Sequence, residues 1–385
     1  MPLQDYMQLV SVDDHVIEPP DVWRSRLPSR YLDVGPRVVS RPDEGLTWQF
    51  EGRLHPGFGL NAVAGSDVLD YSANPRSYDE MRPGCYDPVE RLKDMDADGV
   101  HAQMLFPTFP RFAGLAFYKA RDKELALLCV QAWNDYMIDE WCATAPDRFI
   151  PLVILPLWDP QLCAAEIART AAKGARAITF PDFLLKAGMP SLWTDHWDPL
   201  LSAAADVGMP LCMHFGSGGL IAPTSPEAPA TIGITLAGLN SMAVTTELIF
   251  SDVFTRHPGL KIALSEGGCG WVPYILERSD FVWARHKYYS GAQLDTPVSE
   301  LFRKHIWVCF ITDDHGLRNA DSIGIDRMTW ESDYPHADSL WPRSRDNLAV
   351  ATSTMADEDV HRIVELNARQ LFNFPRVDAA VATAR

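Results

Sequence analysis

The chain has 385 residues, of which 47% are hydrophobic and 22% are charged, so it can bury a large core without disulfide support. Its formal net charge of −17 repels both phosphate backbones and anionic lipid surfaces. We therefore expect a small-molecule substrate, with no nucleic-acid partner and no membrane partner. Whether the chain forms a homo-oligomer is left open.

The cysteines and the first residues predict a location in the cytoplasm. Seven cysteines are scattered along the chain without C-x-x-C spacing, which predicts neither a disulfide framework nor a cysteine zinc site. The opening MPLQDYMQLVSVDDHV lacks a basic region followed by a long apolar run, as a secretory signal would have. We expect a cytoplasmic protein.

Short apolar runs alternate with longer segments of helical period, which is the pattern of βα units around a parallel sheet. Several of the runs end in polar residues capable of chemistry. The pattern predicts an α/β protein with a (β/α)8 TIM barrel, and residues 1–385 as a single domain. The eight predicted strands are residues 9–12, 102–106, 150–155, 177–180, 210–213, 262–264, 306–311 and 328–331.

Two stretches rich in Gly, Pro and Ser interrupt this rhythm, at residues 41–86 and 216–231. In a barrel, an insertion that follows a strand lies over the C-terminal face, where chemistry occurs. We therefore predict loop insertions over that face, with residues 41–86 as a cap. The alternative is surface elaboration without a role at the site.

The candidate site consists of polar residues that directly follow predicted strands. A barrel gathers all its strand ends into one ring, so such residues converge although they are distant in sequence. Carboxylates and imidazoles together are ligands of Zn²⁺, Mn²⁺ or Fe²⁺. The predicted metal ligands are Asp13, His15, His214, Glu266 and Asp333.

Spacing supports the first pair, because Asp13 and His15 are two positions apart and side chains at i and i+2 point the same way on a strand. Taken singly, each such residue could equally be a helix cap or a turn residue. Gly216, Gly218 and Gly219 also follow a strand, but they lack the full G-x-G-x-x-G dinucleotide fingerprint. His101, Asp182 and Glu18 receive no predicted role.

The motifs together resemble the amidohydrolase superfamily, in the branch of aminocarboxymuconate semialdehyde decarboxylase and related enzymes. The resemblance covers nearly the whole chain and implies a divalent metal ion. The added carboxylate of Glu266 would help to hold a second one, so one or two ions per chain are expected. It places the first-strand pair on Asp13 and His15, the fifth-strand ligand on His214, and the eighth-strand aspartate, which also moves a proton, on Asp333. The matching segments are SVDDHVIEPPDVW (11–23), CMHFGSGG (212–219), ALSEGGCGWVPYILER (263–278), ESDYPHADS (331–339) and ELNARQLFNF (365–374).

One departure from the decarboxylases shapes the predicted function. Where they carry a histidine on strand six, often followed three positions on by an acid, this chain has Glu266 and then Cys269. We therefore predict a metal-dependent hydrolase, in which metal-activated water attacks a bulky ester, thioester or amide. Asp333 and Glu266 are its predicted catalytic residues, and His336 is predicted to bind substrate. A thioesterase is a specific candidate.

Two alternatives stay open at this point. The first is a nonoxidative decarboxylase of an aromatic or enoic acid, which the Asp13 and His15 pair favours and the missing strand-six histidine disfavours. The second is an inactive barrel that serves as a binding module. Abundant Trp, Phe and Met would suit a roomy pocket for a bulky, partly apolar substrate, although core packing explains them equally well.

Overall fold

The structure, a computed structural model, describes residues 3–42, 44–72, 74–221, 225–291 and 294–376. Within these residues nine parallel strand segments form one sheet, and three antiparallel strands form a second. The strands are β1 (Leu9–Val16), β2 (Arg37–Arg41), β3 (Gly45–Phe50), β4 (Arg53–His55), β5 (Val100–Pro107), β6 (Phe149–Ile150), β7 (Leu152–Val153), β8 (Ala177–Thr179), β9 (Leu211–His214), β10 (Ile262–Ser265), β11 (Ile306–Phe310) and β12 (Met328–Trp330).

The nine parallel segments are ordered β6-β5-β1-β12-β11-β10-β9-β8-β7 among the described residues. Only Pro151 separates β6 from β7, so the two ends of this order are consecutive pieces of one chain segment and the sheet is a closed eight-position barrel. A continuous strand over residues 150–155 was the expectation, and it is wrong. Proline has no N–H to donate to the ladder, and here it divides the strand.

Helices cover the outside of the barrel and begin with local signals. Asp87 accepts hydrogen bonds from the N–H groups of Val89 and Glu90, and Pro88 occupies the first helical position of α1. The helices are α1 (Pro88–Asp98), α2 (Leu115–Tyr118), α3 (Lys123–Tyr136), α4 (Pro160–Ala172), α5 (Leu184–Ala187), α6 (Asp198–Val207), α7 (Ala230–Thr235), α8 (Ala237–Phe250), α9 (Val253–Arg256), α10 (Val272–Ser290), α11 (Val298–His305), α12 (Asp314–Arg318), α13 (Ala320–Ile323), α14 (Ser344–Ala351), α15 (Asp357–His361) and α16 (Asn367–Leu371).

Two buried clusters form the core. The larger one fills the layer between the strands and the surrounding helices. The smaller one joins alternate strand residues such as Val10, Val12 and Met104, and the segment from Ala368 to Phe374 packs on it. Strand residues of period two therefore fill the barrel interior, and the ends of the strands are left for polar side chains.

The first insertion folds partly as the antiparallel sheet β2-β3-β4, which begins at Arg37, before the expected start of the cap. Trp48 and Phe50 of β3 are buried, and the Trp48 ring lies 5.1 Å from that of Trp23. This aromatic packing attaches the small sheet to the barrel. The cap bounds 41–86 and the single domain over residues 1–385 stay predictions.

The segment after β9 contains an apolar helical stretch. By length and composition alone Ala230–Phe250 could cross a membrane, with a mean hydropathy of 1.3 and 33% of the window buried. Core helices of soluble proteins pass the same test, so this stretch is weak support for a span. The expectation of no membrane partner stays a prediction.

Candidate metal centre

Strand β1 directs Asp13 and His15 into the ring of strand ends. A register irregularity against β5 lies between Ser11 and Asp14, and such a bulge re-aims the side chains that follow it. Both side chains are fully buried, and Nε2 of His15 lies 3.5 Å from Oδ1 of Asp13. The spacing of two residues therefore places a carboxylate and an imidazole side by side, as the sequence predicted.

Asp14 makes different contacts and joins β1 to the segment after β12. Its Oδ1 accepts hydrogen bonds from Nε2 of Gln103 at 3.0 Å and from the N–H of Tyr334 at 3.1 Å, and also from the hydroxyl of Ser332. Burial raises the pKa of Asp14 to about 7. These contacts position the turn that carries the next site residue.

The fifth-strand histidine is oriented by its neighbour in sequence. Nδ1 of His214 donates a hydrogen bond to the carbonyl oxygen of Phe215 at 2.7 Å, which leaves Nε2 free to act as a ligand. This Nε2 lies 3.4 Å from Nε2 of His15 and 3.7 Å from Oδ2 of Asp13. His15 and His214, which are 199 positions apart in the sequence, thus present ligand atoms to the same point.

Asp333 completes this group from the end of β12. Its backbone adopts φ +54, a conformation that costs a non-glycine residue energy and that is common at functional sites. Its N–H donates to the carbonyl oxygen of Asp13 at 3.0 Å, and the N–H of His15 donates to that of Tyr334 at 2.8 Å. Oδ1 of Asp333 consequently lies 3.3 Å from Nε2 of His15.

Glu266 follows β10 and also has φ +54. Its N–H donates to Oε2 of Glu331 at 3.1 Å, and its own Oε2 lies 2.9 Å from Nε2 of His214. The Glu266 side chain is 15% exposed, whereas those of His214 and Asp333 are fully buried. Glu266 therefore joins the cluster at the side that communicates with solvent.

His336 belongs to the same cluster and is buried. Its ring stacks on that of His15 with centroids 3.8 Å apart, and its Nδ1 lies 2.9 Å from Oδ1 of Asp333, without the geometry of a hydrogen bond. Burial lowers the pKa of His336 to about 3, so its ring is neutral at pH 7. Its role in substrate binding stays a prediction.

The residues fit a divalent cation. Both carboxylate oxygens of Asp13 and both of Asp333 are buried without a hydrogen-bond partner among the described residues. Burial, followed by neighbouring carboxylates, raises the pKa of each of these two residues well above its usual value. A cation would reverse that penalty and satisfy the unpaired oxygens. One atom each from Asp13, His15 and His214 lie within 4.8 Å of one another, as do atoms of His15, Glu266, Asp333 and His336.

All five predicted ligands and His336 are thus brought together. The roles of these residues, including the catalytic roles predicted for Asp333 and Glu266, stay predictions. In the sequence, each of these residues stands at or shortly after the end of an apolar run, and that position was the signal used to predict them.

Sequence reasoning missed Glu331, which the structure places beneath the cluster. Its Oε2 accepts from the Sγ of Cys309 at 2.6 Å as well as from Glu266, and burial raises its pKa to about 8. The residue precedes Asp333 by two positions, so the rule that placed Asp13 beside His15 could have found it.

Two residues left without a role support the surrounding loops. Glu18, whose pKa burial raises to about 7, accepts from the N–H groups of Thr108 and Phe109 at 2.7 and 2.9 Å. Asp182 accepts from the N–H groups of Gly216 and Gly218 at 2.8 and 2.6 Å. Both carboxylates hold loops that follow barrel strands. His101, the third residue without a predicted role, has a pKa lowered to about 4 by burial.

A cavity of about 430 Å³ lies beside the cluster. Phe112 joins the two, because its ring lines the cavity and lies 4.1 Å from that of His214 and 4.9 Å from that of His15. The other lining residues are His55, Leu60, Arg111, Leu115, Ala116, Lys119, Gly216, Ser217, Gly218 and Gly219. The cavity is the space in which a small molecule can approach the cluster.

Buried carboxylates and imidazoles at the C-terminal ends of parallel barrel strands define a class of metal-dependent barrel enzymes. The sequence profile of the amidohydrolase family matches residues 22–374. The chain belongs to this family. The predicted barrel fold and the resemblance are both confirmed.

Curated proteins similar to the chain include named decarboxylases. The chain is similar to gamma-resorcylate decarboxylase of Rhizobium radiobacter, with 26% identity over 317 residues that cover 73% of this chain and 86% of the relative. It is also similar to 2-amino-3-carboxymuconate-6-semialdehyde decarboxylase of Dictyostelium discoideum, with 26% identity over 266 residues that cover 66% of this chain and 68% of the relative.

Solved structures share the fold. Amidohydrolase map2389c from Mycobacterium avium subsp. paratuberculosis superposes with a TM-score of 0.72 at 20% identity, covering 96% of this chain and 100% of that one. A 5-carboxyvanillate decarboxylase from Novosphingobium aromaticivorans, with bound manganese and 3-methoxy-4-hydroxy-5-nitrobenzoic acid, superposes with a TM-score of 0.68 at 18% identity, covering 97% and 99%.

These comparisons correct the predicted reaction. The predicted hydrolase, with the thioesterase as its special case, is wrong, because the relatives with a named activity are decarboxylases. The alternative drawn from the sequence is the better supported one. The replacement of a histidine by Glu266 led to the error, since a changed donor does not by itself change the reaction that a metal centre supports.

The expectation of a divalent metal cofactor is confirmed by the buried site. The solved neighbour from Novosphingobium aromaticivorans holds manganese. A small-molecule ligand agrees with the aromatic acid in that neighbour. Which ion binds, whether one or two bind, the oligomeric state and the absence of a nucleic-acid partner stay predictions.

Proposed function

We propose that the protein is a metal-dependent nonoxidative decarboxylase of an aromatic acid. The cation site rests on the buried group of Asp13, His15, His214 and Asp333, whose four carboxylate oxygens have no hydrogen-bond partner among the described residues. The choice of decarboxylation is supported by the named activity of the similar curated proteins. We assign the cation to these four residues. Manganese is the first ion to test, since the 5-carboxyvanillate decarboxylase neighbour holds it.

The reaction breaks the bond between the ring carbon and its carboxyl group. Carbon dioxide leaves, the electron pair stays on the ring carbon, and a proton replaces the lost group, so no oxidant or reductant is required. A bound divalent cation supplies electrostatic stabilisation to substrate oxygens as charge develops on the ring.

The chain itself must deliver the proton, and Glu266 is the residue that we assign to this step. Its side chain is 15% exposed, whereas the side chains of the four assigned ligands are fully buried. A carboxyl group that reaches solvent can be reprotonated after each turnover. Its Oε2 also lies 2.9 Å from Nε2 of His214, which keeps it beside the ligand set.

Phe112 and His336 shape the space for the ring of the substrate. Phe112 borders both the cavity and the two histidine ligands, and offset or edge contacts between aromatic rings favour binding. The neutral His336 ring, stacked on His15, limits the space on the other side of that ligand. A flat aromatic acid fits these neighbours better than a flexible chain does.

The test uses protein loaded with Mn²⁺ and two acids, 2,6-dihydroxybenzoate and 5-carboxyvanillate. We expect release of carbon dioxide from at least one acid and, in D2O, one deuterium on the ring carbon that lost its carboxyl group. Glu266→Gln should lower kcat by about 100-fold or more while the manganese content is kept, as for the loss of a general acid. Glu300→Gln, an exposed carboxylate on α11, is the matched control and should not alter kcat.

Failure of the manganese-loaded protein to release carbon dioxide from hydroxylated benzoic acids with one or two carboxylates would contradict the proposal. A Glu266→Gln variant with full activity would leave the decarboxylase in place and remove Glu266 as the proton donor.

A further inference from the structure

The cavity beside the metal cluster has a basic lining in an acidic protein. The chain carries a formal net charge of −17, yet none of the described residues that line the cavity is acidic. Three of them, His55, Arg111 and Lys119, carry basic side chains. A cleft lined by positive charge attracts anionic ligands, even on a protein whose net charge is negative.

Like Lys119, Arg111 is a lining residue whose charged group has no partner among the described residues. Its guanidinium makes no hydrogen bond and no ion pair within the part of the chain that the structure describes, and its side chain is exposed. Arg121, by contrast, is compensated, because it donates to the carbonyl oxygen of Glu51 at 2.9 Å and its Nε lies 3.5 Å from Oε2 of Glu51. A guanidinium presents paired N–H donors that match a carboxylate, so an unpaired one beside a cavity is ready for an anionic ligand.

The loop that carries Arg111 is held in place. Arg111 adopts φ +63, a backbone conformation that is unfavourable for any residue other than glycine. Its N–H donates to the carbonyl oxygen of Thr108 at 3.1 Å. The N–H of Gly114 donates back to the carbonyl oxygen of Arg111 at 2.9 Å. The buried Glu18 carboxylate accepts from Thr108 and Phe109 and anchors the start of the turn. A strained turn supported in this way positions its side chains.

The same turn connects the basic lining to the metal cluster. Phe112, the next residue, places its ring 4.1 Å from that of His214. Arg111 and Phe112 line the same cavity of about 430 Å³, so a small ligand in that cavity can contact both the Arg111 side chain and the ring that borders the histidine ligands. A substrate with one carboxyl group at the cation and a second at Arg111 would pair with both positive groups at once.

Resting on the proposed decarboxylase function, we propose that Arg111, assisted by Lys119, binds a second anionic group of the substrate and selects a dianionic aromatic acid. One carboxylate is the group that leaves, and the other stays on the product, held by the guanidinium. Arg111 is thus a specificity-determining residue for this chain.

His55 completes the lining without adding charge. Burial, followed by the nearby Arg111 and Arg53 side chains, lowers the pKa of His55, so its ring is neutral at pH 7. The positive charge of the lining therefore comes from Arg111 and Lys119. A neutral ring there can still donate one hydrogen bond to the ligand.

The first experiment compares 5-carboxyvanillate, which has two carboxylates, with 2,6-dihydroxybenzoate, which has one. In wild-type protein loaded with Mn²⁺ we expect the higher kcat/KM for the dianion. Arg111→Gln should lower the ratio of the two kcat/KM values on the order of 10- to 100-fold, mainly through KM of the dianion, as for loss of a charge-assisted pair. Arg111→Lys should restore part of that ratio, because it keeps the charge and loses the paired donors.

Arg176→Gln is the matched control. This residue precedes β8, at the end of the barrel opposite the site, and it should leave the ratio unchanged. An equal fall of the ratio in the control would indicate a general charge effect and would overturn the proposal.

The second experiment measures binding without turnover. Isothermal calorimetry with isophthalate and benzoate on the metal-loaded protein should show about tenfold tighter binding of isophthalate, and Arg111→Gln should abolish the difference. Equal binding of the two acids by the wild type, or a preference that persists in the variant, would overturn the proposal.

The two experiments separate the inference from the proposed function. Loss of the isophthalate preference in Arg111→Gln, in a protein that releases no carbon dioxide, would support the anion subsite and reject the decarboxylase. Release of carbon dioxide with no dependence on Arg111 would support the decarboxylase and reject the subsite.

Discussion

Replacing Glu331 by glutamine should stabilise the metal-free protein at neutral pH. Glu331 is buried beneath the metal cluster, where its Oε2 accepts from the Sγ of Cys309 at 2.6 Å and from the N–H of Glu266 at 3.1 Å. Burial raises its pKa to about 8. Glutamine has nearly the same shape and keeps an acceptor oxygen for both donors, and it is neutral without having to take up a proton on folding.

The magnitude follows from the two pKa values. In the unfolded chain the carboxyl group titrates near its ordinary value of 4.5, whereas in the folded protein it titrates near 8. Between these values the unfolded state loses its proton first, so the free energy of unfolding falls by about 1.4 kcal/mol per pH unit as pH rises. At pH 7 the accumulated loss is about 3 kcal/mol, and Glu331→Gln should recover roughly that amount.

Urea unfolding in the presence of EDTA, at pH 5 and at pH 7.5, measures the effect. The variant should be more stable than the wild type at pH 7.5, with the difference reduced at pH 5. Glu365→Gln is the control with the opposite expected sign. The buried Glu365 carboxylate accepts from Nε of Arg369 at 2.8 Å and has a lowered pKa. Removing its charge should lower the free energy of unfolding by about 3 kcal/mol or more at pH 7.5. A Glu331→Gln variant with wild-type stability and the same pH slope would refute the reasoning.

Three further changes probe the site and its loops. Asp13→Asn removes a buried ligand charge and should reduce the manganese retained after dialysis at least tenfold by elemental analysis, whereas retained wild-type stoichiometry would exclude Asp13 as a ligand. Glu266→Ala should keep one ion per chain if Glu266 only moves protons, and loss of one of two ions would indicate a binuclear centre. Asp182→Asn weakens the charge-assisted hydrogen bonds from Gly216 and Gly218, so it should lower the free energy of unfolding by about 1 to 3 kcal/mol. Urea unfolding measures the change, and an unchanged urea midpoint would contradict the prediction.

The positions of the site residues were predictable because barrel topology is simple. Each of Asp13, His214 and Asp333 follows an apolar run, and parallel strands end on the same rim. The spacing of Asp13 and His15 added the direction of the side chains. Sequence order and a period of two were therefore sufficient to predict a cluster whose atoms lie within a few ångströms.

Details that depend on long-range packing were not predictable. The division of a strand at Pro151 depends on which neighbours the strand pairs with on each side. The positions of Arg111 and Phe112 depend on a turn with φ +63 that the distant Glu18 carboxylate supports. No periodicity in the sequence marks a turn of this kind, and its residues stand in a run with ordinary loop composition.

The error over the reaction has a physical origin in the chemistry of the cation. Carboxylate and imidazole ligands hold an ion that stabilises developing negative charge on oxygen, and both ester hydrolysis and decarboxylation need that stabilisation. The donor set is therefore common to the two reactions, and substituting Glu266 for a histidine alters which group handles the proton. The choice between the two reactions must therefore depend on the side chains that line the cavity next to the ion. An aromatic wall at Phe112 and an uncompensated guanidinium at Arg111 suit a flat, doubly charged acid, whereas an acyl chain would leave the guanidinium unpaired.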